Sequence, residues 1–181
     1  MFISHAWKYK FLDVVDALVR KFTDALDTVV WFDVFSVNQH RTDEKDFGWW
    51  SGTFQEAIRQ FGHTVMVLSP WHDPQPLTRA WCLWELYCTV NTLCKFDIAF
   101  SAKDEEEFFK DFNEESLNAM KAKIDVHRSE CWKEEDRLKI FAAIQKYMTF
   151  DELNAVVFEC LRDWMTNYFT KLNNKNPHDI D

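Results

Sequence analysis

Glycine and proline are scarce in this chain, which has only three glycines and four prolines among 181 residues. Since these two residue types supply most tight turns, we expect few loops, with turns built mainly from other residues. No Gly-x-Gly-x-x-Gly pattern and no P-loop is present, which excludes a Rossmann-type dinucleotide site and a P-loop phosphate site. Any nucleotide site in this chain therefore needs another design.

Basic residues are also in the minority, with 21 Lys and Arg against 30 Asp and Glu and a net charge of −9. This balance, without any Lys/Arg run, argues against nucleic acid or an anionic membrane surface as a partner. No apolar run approaches the length of a membrane span. The five cysteines form no CxxC pair and have no histidine at zinc spacing, so we expect no metal. An odd cysteine count without a signal peptide indicates reduced thiols and a cytoplasmic location.

Hydrophobic residues make up 47% of the chain and aromatic residues 17%, which predicts a well-packed globular protein. Strand patterns near residues 1–4, 28–35, 64–69 and 95–100 alternate with helical patterns, which predicts an α/β fold around a central parallel sheet. Beyond residue 104 only helical patterns follow, with no convincing fifth strand unless Ile124-Asp125-Val126 supplies it. We expect an α/β domain over residues 1–130, a helical extension packed on it over 131–172, and a polar tail over 173–181.

One carboxylate lies in the middle of the most apolar helical pattern, which runs from about Thr78 to Leu93. In that helix Trp81 and Glu85 are four residues apart and share a face. Burying an unpaired charge is costly, so Glu85 is either held by a specific partner or kept for chemistry. The structural alternative is a glutamate that pairs with Arg79 or caps a neighbouring loop.

A polar stretch from Val37 to Gly52 predicts a long loop that carries two adjacent tryptophans, Trp49 and Trp50. Long loops in compact domains are usually functional or mobile. Adjacent bulky aromatics in such a loop expose much apolar area, so we interpret the pair as a contact with a partner protomer, or as a lid. Thr53 and Glu56 form a capping box that predicts the start of the next helix.

Three fragments, in this order along the chain, resemble the Toll/interleukin receptor (TIR) domain family. Phe2–His5 is similar to its first strand and Trp31–Asp33 to its second. Val67–Ser69, leading to Trp81–Leu86, is similar to its third strand and following helix; the WCxxEL pattern of that helix is the most specific part. The resemblance covers residues 1–100 well and implies a flavodoxin-like fold.

The resemblance also implies two kinds of function. Some family members are non-enzymatic adaptors that act by homotypic assembly. Others cleave NAD⁺ and release nicotinamide together with ADP-ribose or a cyclic product, usually after self-association. In those enzymes the catalytic residue is the glutamate that corresponds to Glu85, and the loop corresponding to Val37–Gly52 closes over the substrate and makes assembly contacts. This loop lacks the family's usual Pro-Gly and carries Trp49 and Trp50 instead.

Other candidate substrate-binding residues follow predicted strand ends, where open α/β sheets bind ligands. Ser4, His5 and Trp7 come directly after the first strand; for His5 a hydrogen-bonded loop histidine is the simpler interpretation. Asp33 and Asn38 lie at the start of the long loop, in reach of a ribose or phosphate, although Asp33 equally suits a strand cap. The remaining candidate, Trp81, is placed to stack on a substrate ring or to be part of the core.

We therefore expect an NAD⁺ nucleosidase, hydrolase or cyclase, in which NAD⁺ is the substrate and no cofactor is needed. The ribose–nicotinamide bond is already activated by the positive ring, so a carboxylate that stabilises an oxocarbenium-like transition state is the main requirement. The alternatives are a TIR scaffold that signals by self-association, and a domain that binds a nucleotide signal without converting it. The abrupt apolar start at Met1 also leads us to expect attached domains in a longer protein.

Overall fold

The computed structural model describes residues 1–38 and 44–175, and its centre is a parallel β-sheet. The strands β1 (Phe2–Ser4), β2 (His63–Val67) and β3 (Lys95–Ala99) lie in the order β1-β2-β3. On the other side of β1, Trp31 forms an isolated parallel bridge with Phe2. The sheet order, with Trp31 at the outer edge, is compatible with a flavodoxin-like α/β fold.

Eight α-helices surround this sheet in the described part of the chain. They are α1 (Phe11–Lys21), α2 (Asp33–Ser36), α3 (Phe47–Phe61), α4 (Ala80–Asn91), α5 (Ala102–Asp111), α6 (Glu114–Lys121), α7 (Glu134–Gln145) and α8 (Phe150–Lys175). Short 3-10 turns occur at Gln75–Thr78 and Val126–Arg128. None of the helices in residues 1–38 and 44–175 is both long and apolar enough to cross a membrane.

The two faces of the sheet bury different side chains, as the two-residue period of a strand requires. On one face Ile3, Val65 and Val67 pack against Val14 and Ala17 of α1. On the other face the strands contribute to a larger core that includes most of α4. Members of that core from the strands and α4 are Phe2, Met66, Ile98, Cys82, Leu83, Trp84, Leu86 and Cys88. The molecule is thus a sheet between two helical layers, with α4 at the centre of the larger one.

The predicted strand over residues 28–35 is wrong except at Trp31. The Trp31 N–H donates to the Met1 carbonyl (2.7 Å) and the Ile3 N–H donates to the Trp31 carbonyl (2.9 Å). Beyond that point the backbone turns into α2 at Asp33, so no further pairing with the three-residue β1 is made. The apolar residue Val29 is 74% exposed, which shows that the run was not a buried strand.

The predicted loop from Val37 to Gly52 is also wrong over its second half, which belongs to α3. The helix begins at Phe47, with the Asp46 carboxylate accepting a hydrogen bond from the Trp49 N–H (2.8 Å). Thr53 and Glu56 therefore lie inside the helix and do not cap it. Residues 39–43 of the predicted loop lie outside the described residues. The helix ends at Gly62, which adopts the left-handed conformation, with φ 62°, that glycine tolerates best.

The C-terminal helices share the larger core with the α/β part. Ile140 and Ile144 of α7, and Leu153, Val157 and Leu161 of α8, are completely buried in it. The sequence pair Thr149 and Glu152 has the spacing of a capping box. It forms one at the start of α8, since Glu152 accepts from the Thr149 N–H (2.7 Å) and Thr149 accepts from the Glu152 N–H (3.2 Å).

A buried carboxylate also ties the last helix to the sheet. Asp97 of β3 accepts hydrogen bonds from Lys21 Nζ of α1 and from Trp164 Nε1 of α8, both at 2.5 Å. The segment Ile124-Asp125-Val126 is not a strand, because Asp125 caps the 3-10 turn that starts at Val126. α8 continues to Lys175, past the predicted start of the tail at residue 173, and residues 176–181 lie outside the described residues.

Candidate functional site

A cavity of about 660 Å³ opens beside the carboxyl end of β1, between α2, α3, α4 and the segment that leads into α7. Its size is within the range of about 300–1,000 Å³ that is usual for small-molecule sites. The wall contains both aromatic rings and charged groups, and it brings together residues that are far apart in the sequence. The cavity is the natural place to test the residues that the sequence singled out.

Glu85 lies on α4 and faces this cavity, although it is only 8% exposed. The Ser4 hydroxyl donates a hydrogen bond of 2.6 Å to Glu85 Oε2. Ser4 is the last residue of β1, so the strand end and the middle of α4 meet at this bond. The partner of Glu85 is therefore Ser4 and not Arg79, and the carboxyl group is both hydrogen-bonded and accessible from the cavity.

Burial is the main influence on the ionisation of Glu85. It raises the pKa of this carboxyl group from the usual 4.5 to about 8; the Ser4 hydrogen bond lowers the pKa and the Asp33 carboxylate raises it further. The protonated form therefore dominates at neutral pH. A cationic group that enters the cavity beside Glu85 favours the ionised form, so charge at this position responds to what is bound.

Asp33, Trp7 and His5 form a polar group in the wall of the same cavity. Trp7 Nε1 donates to Asp33 Oδ2 (2.8 Å), and His5 Nδ1 lies 3.7 Å from Asp33 Oδ1. Burial lowers the pKa of His5, and the Asp33 carboxylate opposes this change. Asp33 is the first residue of α2 and not part of a strand. At this position its carboxylate interacts favourably with the dipole of the helix.

Trp81 belongs both to the core and to the cavity wall. Its ring packs edge-on against Phe54 (centroids 5.4 Å apart) and lies 5.6 Å from the ring of Phe47, both on α3. Phe54 and Trp50 line the same cavity. The two alternatives that the sequence left open for Trp81 are thus compatible with each other in this structure.

The adjacent tryptophans of α3 have separate environments. Trp50 is half-buried in the cavity wall, whereas Trp49 is 41% exposed and is not among the described residues that line the cavity. The rings meet edge to face at 4.8 Å, and Lys45 Nζ lies 5.2 Å from the centroid of Trp49. The pair therefore lies in α3 and not in a loop, and only Trp49 presents a substantial surface to solvent. A contact with a partner protomer, or a role as a lid, stays a prediction.

Asn38 is exposed and does not line the cavity, although its neighbour Val37 does. Of the six residues predicted to bind substrate, His5, Trp7, Asp33 and Trp81 line the cavity directly. Ser4 reaches it through Glu85. Asn38 is the predicted residue that the structure does not bring to this wall.

Six further charged or aromatic residues of the wall were missed by the sequence reasoning: Lys8, Phe54, Arg79, Trp132, Lys133 and Asp136. Three of them come from the segment around the start of α7, which was assigned to an extension outside the site. Backbone hydrogen bonds bring this segment to α4, from the Ala80 N–H to the Glu130 carbonyl (2.9 Å) and from the Glu130 N–H to the Thr78 carbonyl (2.8 Å). A bridge between residues so distant in sequence leaves no local pattern from which the contact could be predicted. Only Arg79, six residues before Glu85, could have been identified as a site residue from its position in the sequence.

Comparison of the chain with models of protein families, with curated proteins and with solved structures finds no match in any of the three. The site must therefore be interpreted from its own chemistry. It offers a protonatable carboxyl group in a desolvated position, flat aromatic walls, and cationic side chains elsewhere on the same wall. In the described residues no group of three or more His, Cys, Asp and Glu side chains is arranged to hold a metal ion.

Proposed function

We propose that this protein is a TIR-like NAD⁺ nucleosidase that uses Glu85 as its catalytic carboxylate. The observation that carries the proposal is the position of Glu85: buried, hydrogen-bonded by Ser4, and facing a cavity with tryptophan walls. A desolvated carboxylate beside the ribose stabilises developing positive charge far better than one in water. The similarity of Trp81–Leu86 to the corresponding TIR helix supports the same assignment.

The chemistry requires little beyond this carboxylate. The bond between ribose C1′ and the nicotinamide nitrogen breaks, and its electron pair neutralises the positive ring. Water then attacks C1′ to give ADP-ribose and releases a proton, whereas attack by the adenine ring of the same molecule gives a cyclic product. Glu85 stabilises the oxocarbenium-like transition state in both reactions, as the carboxylates of glycosidases do. The positive nicotinamide ring also lowers the pKa of Glu85 when it binds nearby, which supplies the ionised form.

The direct test is nicotinamide release from NAD⁺ by the purified protein, measured by chromatography at high protein concentration and pH 8. We expect turnover by the wild type and a loss of about 100-fold or more in Glu85→Gln, in the range seen when a group that stabilises transition-state charge is removed. Gln is isosteric with Glu and still accepts the Ser4 hydrogen bond, so the fold is preserved.

The matched control is Glu106→Gln, which makes the same chemical change at an exposed position of α5. It is expected to keep wild-type turnover. Equal turnover by the wild type and Glu85→Gln would contradict the assignment of Glu85, and the absence of turnover in all three proteins over a range of concentrations would contradict the enzymatic function.

A second candidate function is a non-enzymatic TIR-like scaffold that acts by self-association. It is favoured by the exposed apolar surface of Trp49 and by Leu12 and Phe35, each 74% exposed near the start of α1 and on α2. Sedimentation analysis over a range of concentrations tests this: association that is lost in Trp49→Ala supports it, and a wild type that remains monomeric contradicts it. Self-association and catalysis are compatible, and we propose that assembly promotes the activity.

We also propose a reducing compartment such as the cytoplasm as the place of action. All five cysteines are free, and the thiols of Cys82 and Cys88 are buried. Free thiols persist where glutathione and thioredoxin keep them reduced.

A further inference from the structure

We propose that Arg79, Trp132 and Lys133 form a subsite for the adenosine diphosphate half of a dinucleotide. The inference rests on the proposed function, because that function places the nicotinamide riboside half beside Glu85. The substrate would then be a whole dinucleotide, held at both ends by a single copy of the chain.

Three residues of the cavity wall come from the start of α4 and the position just before it. Arg79 directly precedes α4, and Cys82 and Glu85 lie within its first two turns; all three line the cavity. With a rise of about 1.5 Å per residue, Arg79 and Glu85 lie about 9 Å apart along the axis. Burial raises the pKa of Cys82, the nearby Glu85 raises it further, and the Arg79 guanidinium opposes both. Along the chain Cys82 lies between Arg79 and Glu85 in the cavity wall.

A backbone bridge places Trp132 near Arg79. Arg79 and Glu130 form an isolated parallel bridge, which positions the residues that follow Glu130 beside the start of α4. Burial raises the pKa of the Cys131 thiol, and Arg79 again opposes the change, so the guanidinium is near this thiol as well. Trp132 and Lys133 come next and both line the cavity. The cavity wall therefore passes from Glu85 to Arg79 and on to Trp132.

The charged side chains of the wall differ between the end beside Glu85 and the end beside Trp132. The end beside Glu85 also contains the Asp33 carboxylate, with one cation, Lys8, next to Trp7. Once Glu85 is ionised, two carboxylates face this single cation, which favours a positive ring such as nicotinamide. The other end contains the cations Arg79 and Lys133 against a single carboxylate, Asp136, and so attracts an anion. A guanidinium binds diphosphate oxygens in pairs. The polarity of the wall matches a molecule with a positive ring at one end and a diphosphate in its middle.

Trp132 is 92% exposed although it lines the cavity. So large an apolar surface in water is unfavourable in the free protein, and a flat base that stacks on the ring removes it. An adenine base linked to a diphosphate beside Arg79 is placed to do this. Trp132 would then distinguish a dinucleotide from a mononucleotide.

The test separates this subsite from catalysis by measuring the binding of ADP alone, by isothermal titration calorimetry. We expect the wild type to bind ADP, and Trp132→Ala and Arg79→Gln each to bind it at least about tenfold more weakly. The control is Tyr147→Ala, which removes another exposed aromatic ring, just after α7 and away from the cavity wall. Absence of ADP binding by the wild type, or equal binding by Trp132→Ala, would overturn the subsite.

A kinetic measurement completes the design. NAD⁺ and nicotinamide mononucleotide contain the same scissile bond, and only NAD⁺ carries the adenosine monophosphate group. We expect the wild type to prefer NAD⁺ in kcat/KM and Trp132→Ala to lose about tenfold of that preference; an unchanged preference would overturn the subsite. If neither compound is cleaved but ADP binding still depends on Trp132, the nucleosidase function fails while the subsite stands.

Discussion

Glu85 gives the protein a definite dependence of stability on pH. The pKa of its carboxyl group is 4.5 in the unfolded chain and about 8 in the folded one, chiefly because of burial. Between these two values the folded state binds more protons than the unfolded state. The free energy of unfolding therefore falls as pH rises from about 4.5 to 8, and above both values it stays at the lower level without further change from this group.

Substitution of Glu85 by Gln removes this dependence, because the amide does not ionise. We expect the stability of Glu85→Gln relative to the wild type to increase from pH 5 to pH 8 by roughly 2–4 kcal/mol, since each pKa unit corresponds to about 1.4 kcal/mol. Urea denaturation at several pH values measures this difference. Glu106→Gln is expected to show a constant offset, and the same constant offset for Glu85→Gln would show that Glu85 titrates normally.

Ser4 lowers the pKa of Glu85, because its hydroxyl donates a hydrogen bond to the carboxyl group and favours the ionised form. Removing it in Ser4→Ala should raise the pKa of Glu85 further. If Glu85 must be ionised for catalysis, the rise of kcat/KM with pH should then have its midpoint at a higher pH than in the wild type. A lower rate with an unchanged midpoint would mean that Ser4 acts on the substrate and not through Glu85.

At the scale of elements, α3 shows how packing decides where a helix begins. Gly48 and Gly52 lie within it, at a cost of about 1 kcal/mol each relative to alanine. The helix gains more than this by packing Phe47, Trp50 and Phe54 against the core. Its true cap is Asp46, whereas Thr53, which begins a capping-box pattern in the sequence, is already in the second turn of the helix.

These two residues give a matched test. Asp46→Ala should lower the free energy of unfolding by about 1 kcal/mol, the usual cost of losing an N-cap side chain. Thr53→Ala should leave stability unchanged or raise it by a few tenths of a kcal/mol, because alanine is the better residue inside a helix. Thermal and urea denaturation of both variants check this, and a larger loss in Thr53→Ala would move the start of the helix back to Thr53.

At the scale of the whole molecule, the boundary that the sequence suggested at residue 130 crosses the main core. Side chains from both C-terminal helices are buried in it beside those of α4 and the strands. Trp164 of α8 also donates to Asp97 of β3. The separation into an α/β domain and an extension remains a prediction, and truncation tests it.

A chain that ends at residue 130 should fail to fold cooperatively. It loses eight buried side chains of the larger core: Ile140, Phe141, Ile144, Leu153, Val157, Phe158, Leu161 and Met165. Each large buried side chain contributes about 1.5–3 kcal/mol, so their sum exceeds the net stability of a typical domain, about 5–15 kcal/mol. A chain that ends at residue 175 is the control and should keep a single sharp transition by circular dichroism. Such a transition in the shorter chain would establish residues 1–130 as a domain.

Local sequence patterns anticipated the elements whose stability is local. The continuous apolar run of β2, the capping-box pair at the start of α8 and the glycine that ends α3 all depend on residues within a few positions of each other. Patterns failed where distant contacts decide the outcome. Trp31 pairs with β1 at one residue only, and α3 begins before its capping-box pattern because its aromatic face has a core to pack against.

The residues of the candidate site also fall into two groups, those that local sequence patterns identify and those that they do not. Glu85, Trp81 and the residues after β1 were identifiable, because a charge within an apolar helix and a strand end are local features. Trp132 and Lys133 were not identifiable, since they reach the cavity through the bridge between Arg79 and Glu130, which joins two points fifty residues apart.

The exposure of Trp132 has a practical consequence for spectroscopy. A tryptophan in water emits at longer wavelength than one in an apolar environment, and Trp132 is the most exposed of the tryptophans in the described chain. Its indole should therefore contribute the red edge of the intrinsic emission, and a base that covers it should shift the spectrum towards the blue. The protein thus carries its own optical reporter at one end of the cavity, and a difference spectrum against Trp132→Ala isolates its signal without any added dye.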